Sequence, residues 1–353
     1  MSTQYFKLTH HEGWHSTFAF RVFHRPSEEW VKMRWGFNAG VLLEEALDRA
    51  RLFIESQSVS ETIFFDREQP IRTLALRGIN LPDTGVQMSL IGKVTASDQE
   101  QAEQAGREYA RELASIFPHD FIIEPAETEI AFHQANGTHL FDQKPNIALI
   151  QREKVLIPPM RPHQQIQGMW QASNRSNEQI WRALSGTSRI TMLNIMIQPS
   201  LLFENERKRL FEIKEAIGDT KKETSELHSY YPWVEEYVKR RLSPWKKFFL
   251  LQVHVLVDTV VDDSILRSIG SAITRDAANL TLPGYEVVHP ASKDEEDEWR
   301  DNVQFLTLLP TRGMEDLADI DETFAVFRFP LRHEFGLPGA NFVKHPDTGS
   351  GNP

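Results

Sequence analysis

The sequence predicts an α+β fold of two domains, the second of them ferredoxin-like with a two-helix insertion. The chain has 353 residues, which is more than one ordinary hydrophobic core serves and fits two domains of roughly 150 residues each. Hydrophobic residues make up 40% of the chain, with 22 Phe among them, so two cores can be filled. Stretches of strand period and of helix period alternate along the chain, and this alternation predicts the order of the elements.

The first predicted domain covers residues 1–140. Alternating or continuous apolar residues predict strands over residues 15–24, 62–65, 71–77, 86–95 and 121–123. Apolar residues at helical spacing predict a helix over 42–56. Ser97, with Glu100 three residues later, has the capping-box pattern. It predicts the start of a second helix over 98–117, and Asn136-Gly137 is a turn signal that marks the domain boundary.

The second predicted domain covers residues 141–323. The predicted order is a strand over 147–154, a helix over 174–185, a strand over 190–198, two amphipathic helices over 202–217 and 226–242, a strand over 248–257, a helix over 262–278 and a strand over 284–289. Without the helical insertion at residues 200–243, this is the β-α-β-β-α-β order of a ferredoxin-like unit. The strand over 248–257 is almost entirely apolar, which predicts burial on both faces.

Residues 324–353 form a predicted seam strand followed by a disordered tail. The sequence from Phe324 to Pro330 places Phe327 and Phe329 on one face of a short strand and Arg328 on the other. Pro330 ends this strand, and the Gly-Leu-Pro-Gly run at 336–339 predicts a turn.

Bulk composition excludes several classes of function. The net charge of −11 argues against a strongly nucleic-acid-binding surface. The chain has no cysteine, which excludes disulfides, zinc–thiolate sites and cysteine nucleophiles and fits a cytoplasmic location. There is no apolar run of about 18 residues and no signal-peptide pattern, so we expect neither a membrane span nor export.

Motifs for catalysis are incomplete. His11 to His15 matches H-E-x-x-H, but Gly13 lies inside the motif and a strand follows, so a polar loop is the preferred interpretation. Thr348 to Gly351 resembles part of a phosphate loop without its lysine, and no G-x-S-x-G elbow occurs. We therefore predict no catalytic, cofactor-binding or metal-binding residues. A stand-alone hydrolase with an unrecognised carboxylate or histidine site is the alternative.

Eight basic residues on or next to the inserted helices are candidates for nucleic-acid contact. They are Arg207, Lys208, Arg209, Lys239, Arg240, Arg241, Lys246 and Lys247. Nearby tryptophans could stack on bases, as in single-strand binding surfaces. Because many glutamates share these helices, a surface for a protein partner is favoured, and a nucleic-acid-binding adaptor is the second alternative.

Several packing and turn segments resemble the N-terminal non-motor region of HerA/TraC-like ATPases, which serve conjugation, type IV secretion, DNA translocation and anti-phage defence. The segments are Ala114 to Pro118, Ser176 to Trp181, Ile197 to Ser200, Leu202 to Glu215, Leu242 to Trp245, Pro283 to Pro290, and the FRFP…GLPG seam. The Walker A and Walker B motifs of that family are absent from this sequence. The resemblance implies the front half of a motor protein without its ATPase domain.

The resemblance further implies a non-catalytic interaction module that pairs with a separately encoded P-loop ATPase as a homo- or hetero-oligomer. In a fused motor the seam would lead into the ATPase domain, so here it is predicted to be a docking edge. The predicted partner-binding residues are Phe327, Arg328, Phe329, Pro330, Gly336, Pro338 and Gly339. The alternative is that Phe327 and Phe329 simply complete the second core.

Overall fold

A ten-stranded antiparallel sheet runs through the chain and crosses the predicted domain boundary. The computed structural model describes residues 4–11, 13–25, 39–66, 69–141, 144–155, 166–171, 176–220, 231–243, 246–259, 261–274, 284–308, 314–331, 337 and 339–346. None of the helices in these ranges is long and apolar enough to span a membrane.

The strands alternate with helices along the chain. The strands are β1 (Lys7–His10), β2 (Trp14–His24), β3 (Ile71–Leu81), β4 (Gly85–Ala96), β5 (Phe121–Pro125), β6 (Asn146–Arg152), β7 (Lys154–Val155), β8 (Ile166–Gln167), β9 (Thr191–Ser200), β10 (Phe248–Val257), β11 (Tyr285–Val288) and β12 (Leu317–Asp319). The helices are α1 (Ala39–Ser56), α2 (Glu61–Phe65), α3 (Gln99–Ile116), α4 (Glu129–Asn136), α5 (Ser176–Ser185), α6 (Glu204–Thr220), α7 (Tyr231–Arg241), α8 (Asp263–Ile273), α9 (Lys293–Phe305) and α10 (Ile320–Val326).

The spatial order of the main sheet is β1-β2-β4-β3-β9-β10-β6-β11, with β5 paired to β2 and β12 to β10. Strand β3 of the first predicted domain pairs with β9 of the second over Leu74↔Ile197 to Asn80↔Thr191. The predicted domains therefore share one sheet. The fold is α+β, as the sequence predicts, and it contains one large antiparallel sheet.

Helices cover both faces of the sheet, and alternate strand residues enter two different layers of the core. On the first face, α1, α3, α5 and α8 pack against strand residues such as Phe18 and Leu76. On the second face, α4 and α9 pack against smaller clusters around Ala75 and Ile79. Strand β10 is buried on both faces, as its apolar run predicts. The inserted helices α6 and α7 pack on each other around a separate cluster.

Three local predictions are wrong for physical reasons. Residues 62–65 form helix α2 and not a strand, because the Ser60 side chain accepts the Ile63 N–H and caps a helix. Helix α3 is capped by Asp98 and not by Ser97. The strand predicted over 190–198 does not end before Pro199, because β9 runs to Ser200. Pro199 is tolerated because it lies beyond Ile197, the last β9 residue that pairs with β3.

Candidate partner-binding surface

The predicted seam strand is wrong, because residues 320–326 form helix α10. The helix starts with a capping box: Asp319 Oδ1 accepts the Glu322 N–H at 3.0 Å, and Glu322 Oε2 accepts the Asp319 N–H at 3.0 Å. This reciprocal pair satisfies two backbone donors that an uncapped helix leaves free. The short alternation from Phe324 to Phe329 is too weak to compete with this signal.

The aromatic residues of the seam lie in the core. Phe327 and Phe329 are fully buried. The Phe329 ring packs on Phe53, Phe117 and Phe121 at centroid distances of 5.7, 5.1 and 5.4 Å. The side chains predicted to form a docking edge therefore contact this chain's own first-face core.

The polar groups of the seam are also turned inward. Arg328 is only 3% exposed, with its guanidinium 5.3 Å from the centre of the Phe324 ring. Burial lowers the pKa of Arg328 to about 10. Pro330 O lies 2.7 Å from His24 Nε2, within hydrogen-bond distance. The predicted strand required Arg328 to face away from the core, and this prediction is wrong because Arg328 is buried.

Residues 339–346 form a strap over the ends of β4 and β2. Gly339 has a φ of +77° and a side chain there would meet Arg182, so glycine fits this turn. Asn341 O accepts the Val86 N–H at 2.7 Å, and His345 lies 2.6 Å from Glu124. The predicted contact residues Gly336 and Pro338, and the Thr348–Gly351 motif, lie outside the described residues.

A buried ion-pair network holds α10 to the sheet. Glu322 lies 3.1 Å from Arg152 and 2.6 Å from Arg241, and all three side chains are 1% exposed. Asp319 accepts two hydrogen bonds from Arg240, at 2.9 and 2.7 Å. Because Arg152 is on β6 and the other two arginines are on α7, the network joins three separated parts of the chain.

Surface pairs extend the same network toward α1. Asp321 is paired with Lys246 and lies 2.6 Å from Arg51.

Burial alone would raise the pKa of Asp319, but the hydrogen bonds from Arg240 and the charge of Arg241 outweigh it and lower that pKa to about 2. Asp319 is therefore ionised at any physiological pH, and the network stays charged.

The eight basic residues proposed for nucleic-acid contact fall into two groups. Arg240, Arg241 and Lys246 are paired with the acidic residues of the seam. The charge of these three is balanced inside the chain and offers little to a phosphate backbone. The others lie on helix surfaces or in the loop before β10; Arg207 pairs with Glu204 at 3.9 Å and Lys247 with Glu55 at 3.4 Å.

The H-E-x-x-H residues do not lie on a helix. His11 precedes β2 and His15 is part of it, while Glu12 lies outside the described residues. His15 Nε2 is 2.7 Å from His11 O, and His15 Nδ1 is 2.9 Å from Thr95 Oγ1. Within the described ranges, no three His, Asp or Glu side chains are grouped so that they could hold a metal ion.

An exposed aromatic patch, formed by Ile63, Phe64, Phe65 and Phe203, was missed by sequence reasoning. Phe64 packs on Phe65 and on Phe203, each at 5.7 Å between ring centroids. Ile63, Phe65 and Phe203 are 48%, 60% and 38% exposed. Sequence reasoning misses the patch because it predicts a strand over residues 62–65. Its only sequence signal is the Ser60 cap, which turns this apolar run into a surface helix.

Helix α2, which carries three residues of the patch, follows a helix that is ion-paired to α10. Helix α1 precedes α2 directly, and its Arg51 pairs with Asp321 of α10. Glu55, also on α1, pairs with Lys247 just before β10. Leu52, between them, is 61% exposed. Helix α1 is thus ion-paired to α10 and leads along the chain into α2, which carries Ile63, Phe64 and Phe65.

Comparison with known proteins gives no assignment: no family model matches the chain, and no curated protein matches it.

Proposed function

We propose that this chain is a cytoplasmic, non-catalytic interaction module that binds a separately encoded P-loop ATPase of the HerA/TraC type. Its setting would be DNA translocation, conjugation or anti-phage defence. The support comes from the FRFP…GLPG and related segments of the sequence and from the surface described above. The observation that carries the proposal is the exposed aromatic patch.

Exposed, contiguous aromatic side chains are typical of protein-binding surfaces and not of a free monomer surface. Ile63, Phe65 and Phe203 keep a large part of their surface in water, which costs free energy unless a partner covers it. The short helix α2 presents two of these side chains on a rigid, capped support. A partner could bury them without rearranging the core.

The ion pairs that hold α10 to the sheet give this module a force-bearing role in the proposal. The buried pairs of Glu322 with Arg152 and Arg241 resist displacement of α10 from the sheet. Load applied to the chain near α10 would be passed to β6 and α7 through these pairs. In this proposal the ion-paired residues of α10 pass force to the sheet, and the aromatic patch contacts the partner.

We also propose that residues 141–323 are a ferredoxin-like unit with a helical insertion at 200–243. In chain order its strands are β6, β9, β10 and β11. The spatial order β11-β6-β10-β9, with each neighbouring pair antiparallel, supports this assignment. Residues 1–140 would then be the N-terminal α+β unit, joined to it through the β3–β9 pair.

The test is binding of a separately encoded P-loop ATPase of the HerA/TraC type from the same organism, measured by biolayer interferometry. The double variant Phe65→Ser/Phe203→Ser should weaken binding by about tenfold or more, as expected for aromatic interface anchors. Since both residues are exposed, the variant should melt close to the wild type.

Ile130→Ser is the matched control, because Ile130 is 72% exposed but lies on α4, which packs on the second face of the sheet. It should bind as the wild type does. Equal binding by the double variant would exclude the aromatic patch as the contact. No binding by the wild type would exclude the proposed function itself.

A further inference from the structure

A cavity of about 730 Å³ opens on the second face of the sheet, beside the cover formed by α4 and α9. Its floor is polar. Lys7, Thr17, Lys93 and Thr73 lie side by side across β1, β2, β4 and β3. Thr73 Oγ1 continues the row by donating to Gln198 Oε1 of β9 at 3.3 Å. Thr9, His15 and Thr95 form a second polar row beside it.

The polarity of this floor begins where the cover ends. Two residues further along the same strands, the same face carries Ala19, Ile91, Ala75 and Met196, which are buried beneath Phe132 and Leu306. A sheet face that served only as core would continue this apolar pattern. Here lysine and threonine replace it over the cavity, which suits contact with water or with a polar ligand.

The cavity floor carries two lysines that form no ion pair with the described part of the chain. Lys93 is only 6% exposed, and its Nζ donates to Thr307 Oγ1 at 3.3 Å. Among the described residues, neither Lys93 nor Lys7 has a carboxylate within the 4.0 Å of an ion pair. Burial lowers the pKa of Lys93 to about 8, so its positive charge is held at a cost that an anion would offset.

Side chains around the floor add hydrogen-bond donors for an anion. His10, His11 and His133 line the cavity beside His15, and Asn136 and Asn302 lie on the cover. Leu306 adopts a left-handed φ of 51°, and the turn it makes carries Thr307 to Lys93. Asp301, at the edge of the cover, is the carboxylate among the lining residues.

We propose that this cavity binds a small organic phosphate of about nucleotide size. Two lysines and a set of threonine hydroxyl and imidazole groups match the charge and the many acceptor oxygens of a phosphate. The volume lies within the range of small-molecule sites, and Phe132, Leu250 and Phe305 supply apolar walls for the uncharged part of the ligand. This site is separate from the aromatic patch and does not depend on the ATPase partner.

The test is isothermal titration of the purified chain with AMP and with ribose 5-phosphate, and with citrate as a carboxylate probe. We expect a Kd below about 1 mM for at least one of the two phosphates, tighter than for citrate. Lys93→Met should weaken that binding by about tenfold or more, because it removes a charge-assisted hydrogen bond. Lys208→Met, at an exposed position on α6, should bind as the wild type does.

Lys7→Met provides a second variant on the less buried edge strand, should Lys93→Met fail to fold. It should also weaken phosphate binding. The proposal is overturned if neither phosphate binds, if citrate binds more tightly than both, or if the folded lysine variants bind as tightly as the wild type.

Discussion

Replacing Glu322 by Gln should destabilise the fold by about 3–5 kcal/mol, the typical cost of removing one partner from a buried ion pair. The change keeps the size of the side chain and the capacity for a capping box. It removes the negative charge between Arg152 and Arg241, all within a site that is 1% exposed. One carboxylate oxygen becomes an amide NH₂ that can only face another donor.

The two arginines should contribute unequally to this cost. Arg152 retains the carbonyl oxygens of Met314 and Leu317 as acceptors, at 2.7 and 2.8 Å. Arg241 keeps mainly the face of the Tyr237 ring, 5.3 Å from its guanidinium carbon. Most of the penalty should therefore arise at Arg241, which would lose its direct ion pair and keep only the longer-range attraction of Asp319 for its buried charge.

The assay is urea unfolding at pH 7 followed by tryptophan fluorescence, with the free energy of unfolding taken from the midpoint and slope. Glu315→Gln is the matched control, because Glu315 pairs with the half-exposed Lys154 at 2.7 Å. Such a surface pair contributes no more than about 1 kcal/mol. Equal effects of the two substitutions would refute the reasoning that the buried network anchors α10.

Two further predictions concern Phe329 of the seam and Asp319, which caps α10. Phe329→Ala should lower the free energy of unfolding by about 3–5 kcal/mol because the ring is fully buried. The control Phe211→Ala, at a 47% exposed position, should lower it by under about 1 kcal/mol. Similar values for both would place Phe329 outside the core. Because the folded pKa of Asp319 lies near 2 and its usual value is 3.8, its pairing contributes stability above about pH 4 that is lost as the pH falls toward 2. Asp319→Asn should be less stable than the wild type at pH 7. Between pH 4 and pH 2 its free energy of unfolding should fall by about 2 kcal/mol less than that of the wild type. Parallel curves of stability against pH for the two proteins over this range would contradict the prediction.

Long periodic segments of this chain could be predicted from sequence, and short ones could not. Strand β10 was predicted with its correct bounds because ten apolar-rich residues lie between two lysines and an aspartate. Helix α10 was missed because a strand was predicted from Phe324 to Pro330, and the capping pair, Asp319 and Glu322, lies before that segment. Over so few residues, a cap decides between helix and strand more strongly than the apolar pattern does.

Sites built across strands were beyond reach of sequence reasoning for a different reason. The row Lys7, Thr17, Lys93 and Thr73 exists only once the register of four strands is known. A shift of one residue in any pairing would send one of these side chains to the opposite face. The ion pairs of Glu322 likewise join it to Arg241 and Arg152, which lie 81 and 170 positions away in the chain, so no local sequence pattern signals them.

The most direct test of the proposed function is the mass of the co-expressed pair. The chain and a separately encoded P-loop ATPase of the HerA/TraC type from the same organism would be produced together, purified through a tag on the ATPase, and analysed by size-exclusion chromatography with multi-angle light scattering. We predict a single peak whose mass contains both chains and which separates into its components when Phe65 and Phe203 are replaced by Ser. Two separate peaks for the wild-type pair, at the masses of the individual proteins, would contradict the account.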